Sequence, residues 1–261
     1  MIKKICLLLL LCLGFGAQAA EPRPVLASAV PVLHALGLSL MQDTGVEVVY
    51  LPPRRLPVNR ISGWLGKADA ATLPDAAALL TIESVWPALS TYPLLRQRNI
   101  AVIPVDVAQE LAPSGARVTL RPNLSEPDYF WLDSNNLLLM SNVAARDLAR
   151  IWPGQAEQIE VNRRALQRHI QRQALAMDEL LFNANIGALA TEDDRLVPLV
   201  MGLALPQVSG DRADLRLDAG KGGSKPGQWR LEPLARPGKE DLAAWLSGLT
   251  ASLEQALTVS P

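Results

Sequence analysis

Between residues 25 and 105, short apolar runs alternate with longer stretches that read as helices. Val25 to Val30 (VLASAV) and Val46 to Leu51 (VEVVYL) are rich in β-branched residues. Ala77 to Ile82 (AALLTI) and Ile100 to Val105 (IAVIPV) are continuous apolar runs. Runs of this kind fit strands covered on both faces, and their alternation with helices predicts a parallel α/β sheet. An Ala/Leu-rich segment through Leu40 fills the first interval. A Pro-rich loop and a helical stretch around Trp64 to Ala71 fill the second.

The pattern then changes period. Asp133 to Asn136 form an N-cap region for a helix through Trp152, and Pro153-Gly154 punctuates it. From Gln155 to Phe182 the apolar positions Ile159, Leu166, Ile170, Met177 and Leu181 recur at intervals of seven and four, one stripe of a long helix. Arg163, Arg164, Arg168 and Arg172 fall largely off that stripe and read as a solvated face. Beyond it, RLVPLVMGLAL is a strand or a buried helix turn. Asp218 to Trp229 (DAGKGGSKPGQW) is a loop or bare connection, and the residues from Lys239 onward form an amphipathic terminal helix. The expected organisation is an N-terminal α/β lobe over 21–152, a linking helix over 153–182 and a reduced C-terminal α/β lobe over 183–261.

Residues 1–20 depart from this pattern. Lys3 and Lys4 precede a Leu-rich run, and Ala17-Gln18-Ala19 forms a cleavage signal, so the segment reads as a signal peptide that directs the chain to the periplasm. Leu11 before Cys12 argues against lipidation. Both cysteines, Cys6 and Cys12, would leave with it, removing disulfides and thiolate metal sites from consideration. Without Lys3 and Lys4 the charge is 23 basic against 26 acidic residues, which is no nucleic-acid footprint.

Candidate chemistry is sparse. The two histidines, His34 and His169, stand alone in helical contexts. There is no Gly-x-Ser-x-Gly elbow, His-Glu-x-x-His pair, Gly-x-Gly-x-x-Gly turn or P-loop, so nothing points to an enzyme.

Four phrases share a common source. Leu51-Pro-Pro opens LPPRRLPVN. Pro127 to Asn162 keeps Trp131, Leu132, Asp133, Asn136, Met140, Leu148, Pro153 and Asn162 at set spacing. The segments TIESVWPALSTYPLLRQRNIAVIPVD and WRLEPLARPGKEDLAAWLSGLTASLEQAL complete the set. Together they resemble the periplasmic solute-binding proteins of metal (zinc, manganese, iron) ABC transporters, across nearly the whole chain after the signal. The resemblance implies two parallel-sheet α/β lobes bridged by one long rigid helix, and a permease as partner; compared with the family, one strand–helix unit of the C-terminal lobe is expected to be missing between Gln207 and Gln228. Members that take a bare ion hold it with histidines and carboxylates. Carried over, those positions fall on Val58 or Asn59, on Tyr129, on or beside Glu192, and on Glu232. The imidazoles are gone, and Glu192 and Glu232 are the remaining candidate metal ligands.

Two functions follow from the resemblance. One is a solute-binding protein for a metal chelate, such as a ferric siderophore, in a cleft lined by Asn59, Glu83, Trp86, Tyr129, Trp131, Glu192 and Glu232. The other is an accessory periplasmic subunit that pairs with a metal-binding homologue or the permease and binds no solute. Direct binding of Zn, Mn or Fe ions is a third option. No resident cofactor is expected.

Overall fold

The computed structural model describes residues 23–258 except 113, 125 and 126, so the expected signal peptide lies outside the described residues. Four strands, β1 (Val25–Ser28), β2 (Glu47–Tyr50), β3 (Ala78–Thr81) and β4 (Ile103–Asp106), form a parallel sheet in the order β2-β1-β3-β4. The apolar runs of the sequence supply all four. β3 is buried along its whole length, as a continuous apolar run requires. In β4, by contrast, Ile103 and Pro104 are exposed because β4 is an edge strand, so its apolar run does not mark cover on both faces.

Helix α1 (Pro31–Leu40) is apolar around most of its circumference because it lies between the sheet and other helices. Gly37 permits that approach: a Cβ there would stand 3.0 Å from Cγ1 of Val48. The short α2 (Ile61–Leu65) and α3 (Tyr92–Arg98) complete the connections of the sheet.

A 3-10 turn at Phe130–Leu132 leads into α4 (Ser134–Ile151), whose N-terminus is capped by Asp133 through Asn135 N at 2.8 Å. Asn136 fixes this corner. Its Oδ1 accepts from Thr119 N at 2.8 Å, and its Nδ2 donates to Thr119 O at 2.9 Å and Phe130 O at 2.8 Å. After a turn at Pro153–Gln155, α5 (Ala156–Asn183) runs against α4, α1 and the terminal helix α7 (Leu242–Thr258). The buried residues of α5 are Ile159, Leu166, Ile170, Met177 and Leu181, the stripe that the periodicity predicts. Arg163 and Arg164 both grip Glu160, at 2.6 and 2.7 Å, and hold its carboxyl down to about 2. The trio is largely solvated, so it adds little to stability.

The second sheet is β5 (Leu189–Thr191), β6 (Leu215–Ala219) and β7 (Gln228–Leu231), parallel and in that order, with α6 (Val197–Gly202) between β5 and β6. The stretch between Gln207 and Gln228 therefore does contain a strand, β6. What is missing is a helix: β6 passes to parallel β7 through residues 220–227 without one, where such a crossover normally takes a dozen residues or more. One face of this sheet is consequently uncovered. Leu215, Leu217, Trp229 and Leu231 point into the core, while Arg216 and Gln228 line a groove of about 730 Å3 on the other side.

Replacing Asn136 by Ala strands the buried Phe130 O and releases the part-buried Thr119 N and O, and is expected to cost about 1–3 kcal/mol. Urea unfolding should show a lower midpoint at unchanged m; a midpoint within error of the parent would contradict this role.

Candidate functional site

The space between the sheets is bounded by loops that leave the carboxyl ends of strands, where open α/β sheets build their crevices. From the first lobe come Pro57, Asn59 and Tyr129. From the second come Arg195 after β5, Ala219, Gly220 and Lys221 after β6, and Glu232, Pro233, Ala235 and Arg236 after β7. They enclose a cavity of about 270 Å3. It continues into an open groove of about 660 Å3 that shares Arg195 and Ala219. A third space of about 380 Å3 shares Lys221, Glu232 and Arg236. Of the three spaces, those of about 380 and 660 Å3 fall within the range of an organic ligand's site, typically about 300–1,000 Å3, and the cavity of about 270 Å3 lies just below it.

Tyr129 is 3 % exposed and packs on Trp131, with ring centroids 5.1 Å apart. Its hydroxyl accepts a hydrogen bond from Nη1 of Arg195 at 3.1 Å, and the guanidinium carbon lies 5.2 Å from the centre of its ring. The backbones also meet, with Tyr129 N donating to Arg195 O at 3.2 Å. Asp193 orients the guanidinium by accepting from Nε and Nη2, each at 2.7 Å. The Arg195 fork holds the Asp193 carboxyl below its usual range, whereas burial pushes the Tyr129 phenol up. Tyr129 is therefore a neutral phenol at physiological pH.

The wall opposite is held under strain. Leu234 is buried in a left-handed conformation (φ 54°), which a branched side chain disfavours. Its neighbours are pinned: Trp131 Nε1 donates to Pro233 O at 2.9 Å, Val58 N to Ala235 O at 2.8 Å, and Trp245 Nε1 to Glu232 O at 2.9 Å. Arg54 Nη1 donates to Gly238 O at 2.8 Å and Arg236 Nε to Arg55 O at 3.1 Å, so the LPPRR loop is tied to the second lobe.

The residues singled out from the sequence are thereby sorted. Asn59, Tyr129 and Glu232 line one cavity. Val58 is fully buried next to it. Trp131 lies beneath the cleft rather than along it: it is fully buried and its indole N–H is spent on Pro233 O. Glu192 is exposed and lines the adjoining groove with Asp193, Asp194 and Asp218. Glu83 accepts from Ser90 Oγ, and Trp86 belongs to a separate cavity with Arg121 and Asp128, so neither shares the cavity of Tyr129. His34 is buried beside Tyr50 and Arg54, with its pKa lowered to about 4 mainly by burial. His169 meets Ser247 on the surface, so neither imidazole reaches the cavity. Sequence reasoning missed Arg195, Lys221 and Arg236. Arg195, two places after Asp193, was the most accessible of the three to inspection.

A bare divalent ion suits this lining poorly. Zn2+ wants deprotonated or neutral nitrogen and carboxylate donors at about 2 Å. Here the phenol is protonated and already bonded to a guanidinium, and in the 270 Å3 cavity Glu232 is the one carboxylate beside Arg195, Lys221 and Arg236, while the adjoining groove adds Glu192, Asp193, Asp194 and Asp218 with Arg230. Like charges about 4 Å apart cost about 4 kcal/mol per unit charge near a protein surface. Among the described residues no group of three or more His, Cys, Asp or Glu side chains converges to hold a metal.

No protein-family model matches the sequence, and no curated protein matches it. Solved structures do. ZnuA aligns over 91 % of this chain and 99 % of its own, with a TM-score of 0.61 and 17 % identity. The solute-binding protein FpvC of Pseudomonas aeruginosa, in complex with Mn2+, aligns over 91 % and 98 %, with a TM-score of 0.62 and 11 % identity. A Zn(II)-bound mutant variant of AdcAII from Streptococcus pneumoniae aligns over 92 % and 100 %, with a TM-score of 0.60 and 15 % identity. The chain has the two-lobed α/β fold of these metal-binding proteins, the fold that the sequence resemblance implied.

Replacing Arg195 by Ala should raise the Asp193 carboxyl in a carbon-detected NMR titration. Because Asp193 is depressed in the fold, its pairing stabilises above the unfolded carboxylate value near about 3.9 and is lost as pH falls through the folded value. The stability gap between parent and variant should therefore be widest at neutral pH and shrink in acid. An unmoved Asp193 titration would contradict the coupling.

Proposed function

We propose that the chain is the periplasmic solute-binding component of a metal-type ABC transporter, and that its cleft takes a metal as an anionic chelate, such as a ferric siderophore, rather than as a bare ion. The observation that carries this reading is the Arg195 guanidinium, clamped by Asp193 against Tyr129 in a cavity that Lys221 and Arg236 also line. Arginine forks and lysine ammonium groups match the carboxylate, hydroxamate or phosphate oxygens at the rim of a chelate, and the exposed part of the Arg195 fork is free to donate. The phenol and the apolar walls suit the organic part of such a ligand. The joined cavity and groove give room for more than an ion. The fold it shares with metal-binding solute-binding proteins supplies the transporter and the permease as partners.

Calorimetry and tryptophan fluorescence with ferric citrate, a ferric trihydroxamate, and Zn2+ or Mn2+ alone test the reading. A ferric chelate should bind, and Arg195→Ala and Lys221→Ala should each weaken it at least about tenfold. Tight binding of Zn2+ or Mn2+ that Glu232→Ala abolishes would overturn the chelate reading in favour of direct ion binding. No binding by any of them, together with a stable complex with a permease or a second binding protein, would favour the accessory role.

A further inference from the structure

Helix α7 has a face that its own packing leaves open. Trp245, Gly248, Leu249 and Ser252 are spaced as neighbours on one side of the helix, and together they form a wall of the space of about 380 Å3. The loop after β6 and the turn at Leu234 form the other walls. Gly248 is the informative residue. It lies in the interior of a 17-residue helix, where glycine is the poorest choice after proline. Close packing does not call for it, since a Cβ there would meet no atom within 4 Å. What the glycine leaves is room. The floor of that room is apolar: Trp245, Leu249 and Leu234 are buried, and the polar groups among them are already spent. Trp245 Nε1 donates to Glu232 O at 2.9 Å, and the Ser252 hydroxyl accepts from Trp229 Nε1 and donates to Leu249 O. The rim is charged. Lys221, Arg230 and Arg236 face Glu232 and Glu240, three cations against two carboxylates. The side chains of Lys221 and Arg230 have no hydrogen-bond or ion-pair partner among the described residues.

We infer that this pocket is a subsite for the apolar chain of an anionic amphiphile, so that the solute of the neighbouring cleft is a chelate carrying an acyl tail. The pocket shares Gly220, Lys221, Glu232 and Arg236 with the cavity of Tyr129, which sets the tail site beside the head site with Lys221 lining both. The inference rests on the chelate reading for the identity of the head group alone. Size selects against a macromolecular occupant, because a helix about 10–12 Å across with its side chains is too wide for a pocket of this volume. An extended peptide would bring backbone N–H and C=O groups to a floor that offers them no partner. A hydrocarbon chain asks only to be covered, and the unpartnered ammonium and guanidinium at the rim match a negative head rather than a positive or neutral one.

Straight-chain sulfonates from butane- to decane-1-sulfonate, titrated by calorimetry below their micelle concentrations, test the subsite without a metal. Affinity should climb by up to about fourfold per methylene until the pocket is filled. Gly248→Leu, which extends a side chain into the room, should weaken decane-1-sulfonate at least about tenfold, while Gly248→Ala should stay within about threefold. Both variants should melt no lower than the parent, because leucine and alanine favour a helix over glycine. Arg230→Gln should weaken octane-1-sulfonate and leave octan-1-ol unchanged. A ferric trihydroxamate with and without an octanoyl chain separates the two sources of the tail. Binding of the acylated chelate tighter by about tenfold, lost in Gly248→Leu, assigns the tail to the solute of the cleft. Sulfonate binding that Gly248→Leu blocks, with no ferric chelate bound, keeps the subsite for a free fatty anion and ends the chelate reading. Sulfonate affinity that is flat with chain length or unmoved by Gly248→Leu, or an acyl chain that adds nothing to a bound chelate, would overturn the inference.

Discussion

A guanidinium laid across a buried phenol is the contact on which the character of this molecule turns. Arg195 meets Tyr129 through its side chain, its charge and its backbone carbonyl, and it thereby joins the loop after β5 to the turn that starts α4. Asp193 makes that geometry specific, because a bidentate carboxylate fixes the plane of the fork. Once the fork is there, the cleft presents beside Tyr129 a guanidinium that is paired with Asp193 and about half exposed, at 48 %. The phenol beneath it stays protonated. Lys221 and Arg236 enlarge the effect from the other two strand ends of the same sheet.

The frame around that contact is what the fold shares with solved metal-binding proteins, and the frame is intact. Trp131 packs under the cleft, Asp133 caps α4, and Asn136 stitches the turn to residue 119. Fold and chemistry separate here: the fold is shared with metal-binding proteins, while position 129 carries a protonated phenol bonded to Arg195. The second lobe repeats the lesson. A β6–β7 connection without a helix leaves a three-stranded parallel sheet with one polar face, on which Arg216 meets solvent and Gln228 Nε2 donates to Asp218 where apolar residues would otherwise be needed.

Much of this was legible in the residues. The seven-and-four stripe of α5, the Asp133 cap and all four first-sheet strands follow from period and composition alone. Other features were hidden for physical reasons. β5 is three residues long, too short for any period to declare itself. β4 is apolar yet lies at an edge, because composition does not report how many neighbours a strand has. β6 and β7 flank a Gly/Lys-rich connection and alternate apolar with polar, a pattern at odds with the buried strands expected of a parallel sheet. Of the cleft, Asn59, Tyr129 and Glu232 were reached through the family resemblance, while Arg195, Lys221 and Arg236 come together only in three dimensions. Three basic residues on three separate loops leave no local signature.

The position of the metal decides the central claim. Crystals grown with a ferric chelate and measured at the iron absorption edge would locate the ion by anomalous scattering. The account predicts an iron peak inside the cleft, wrapped by the chelate's own oxygens, with the Arg195 fork on the outer oxygens and no protein atom within coordination distance. An iron peak bonded directly to the Tyr129 hydroxyl oxygen or the Glu232 carboxylate, at about 2 Å, would contradict it.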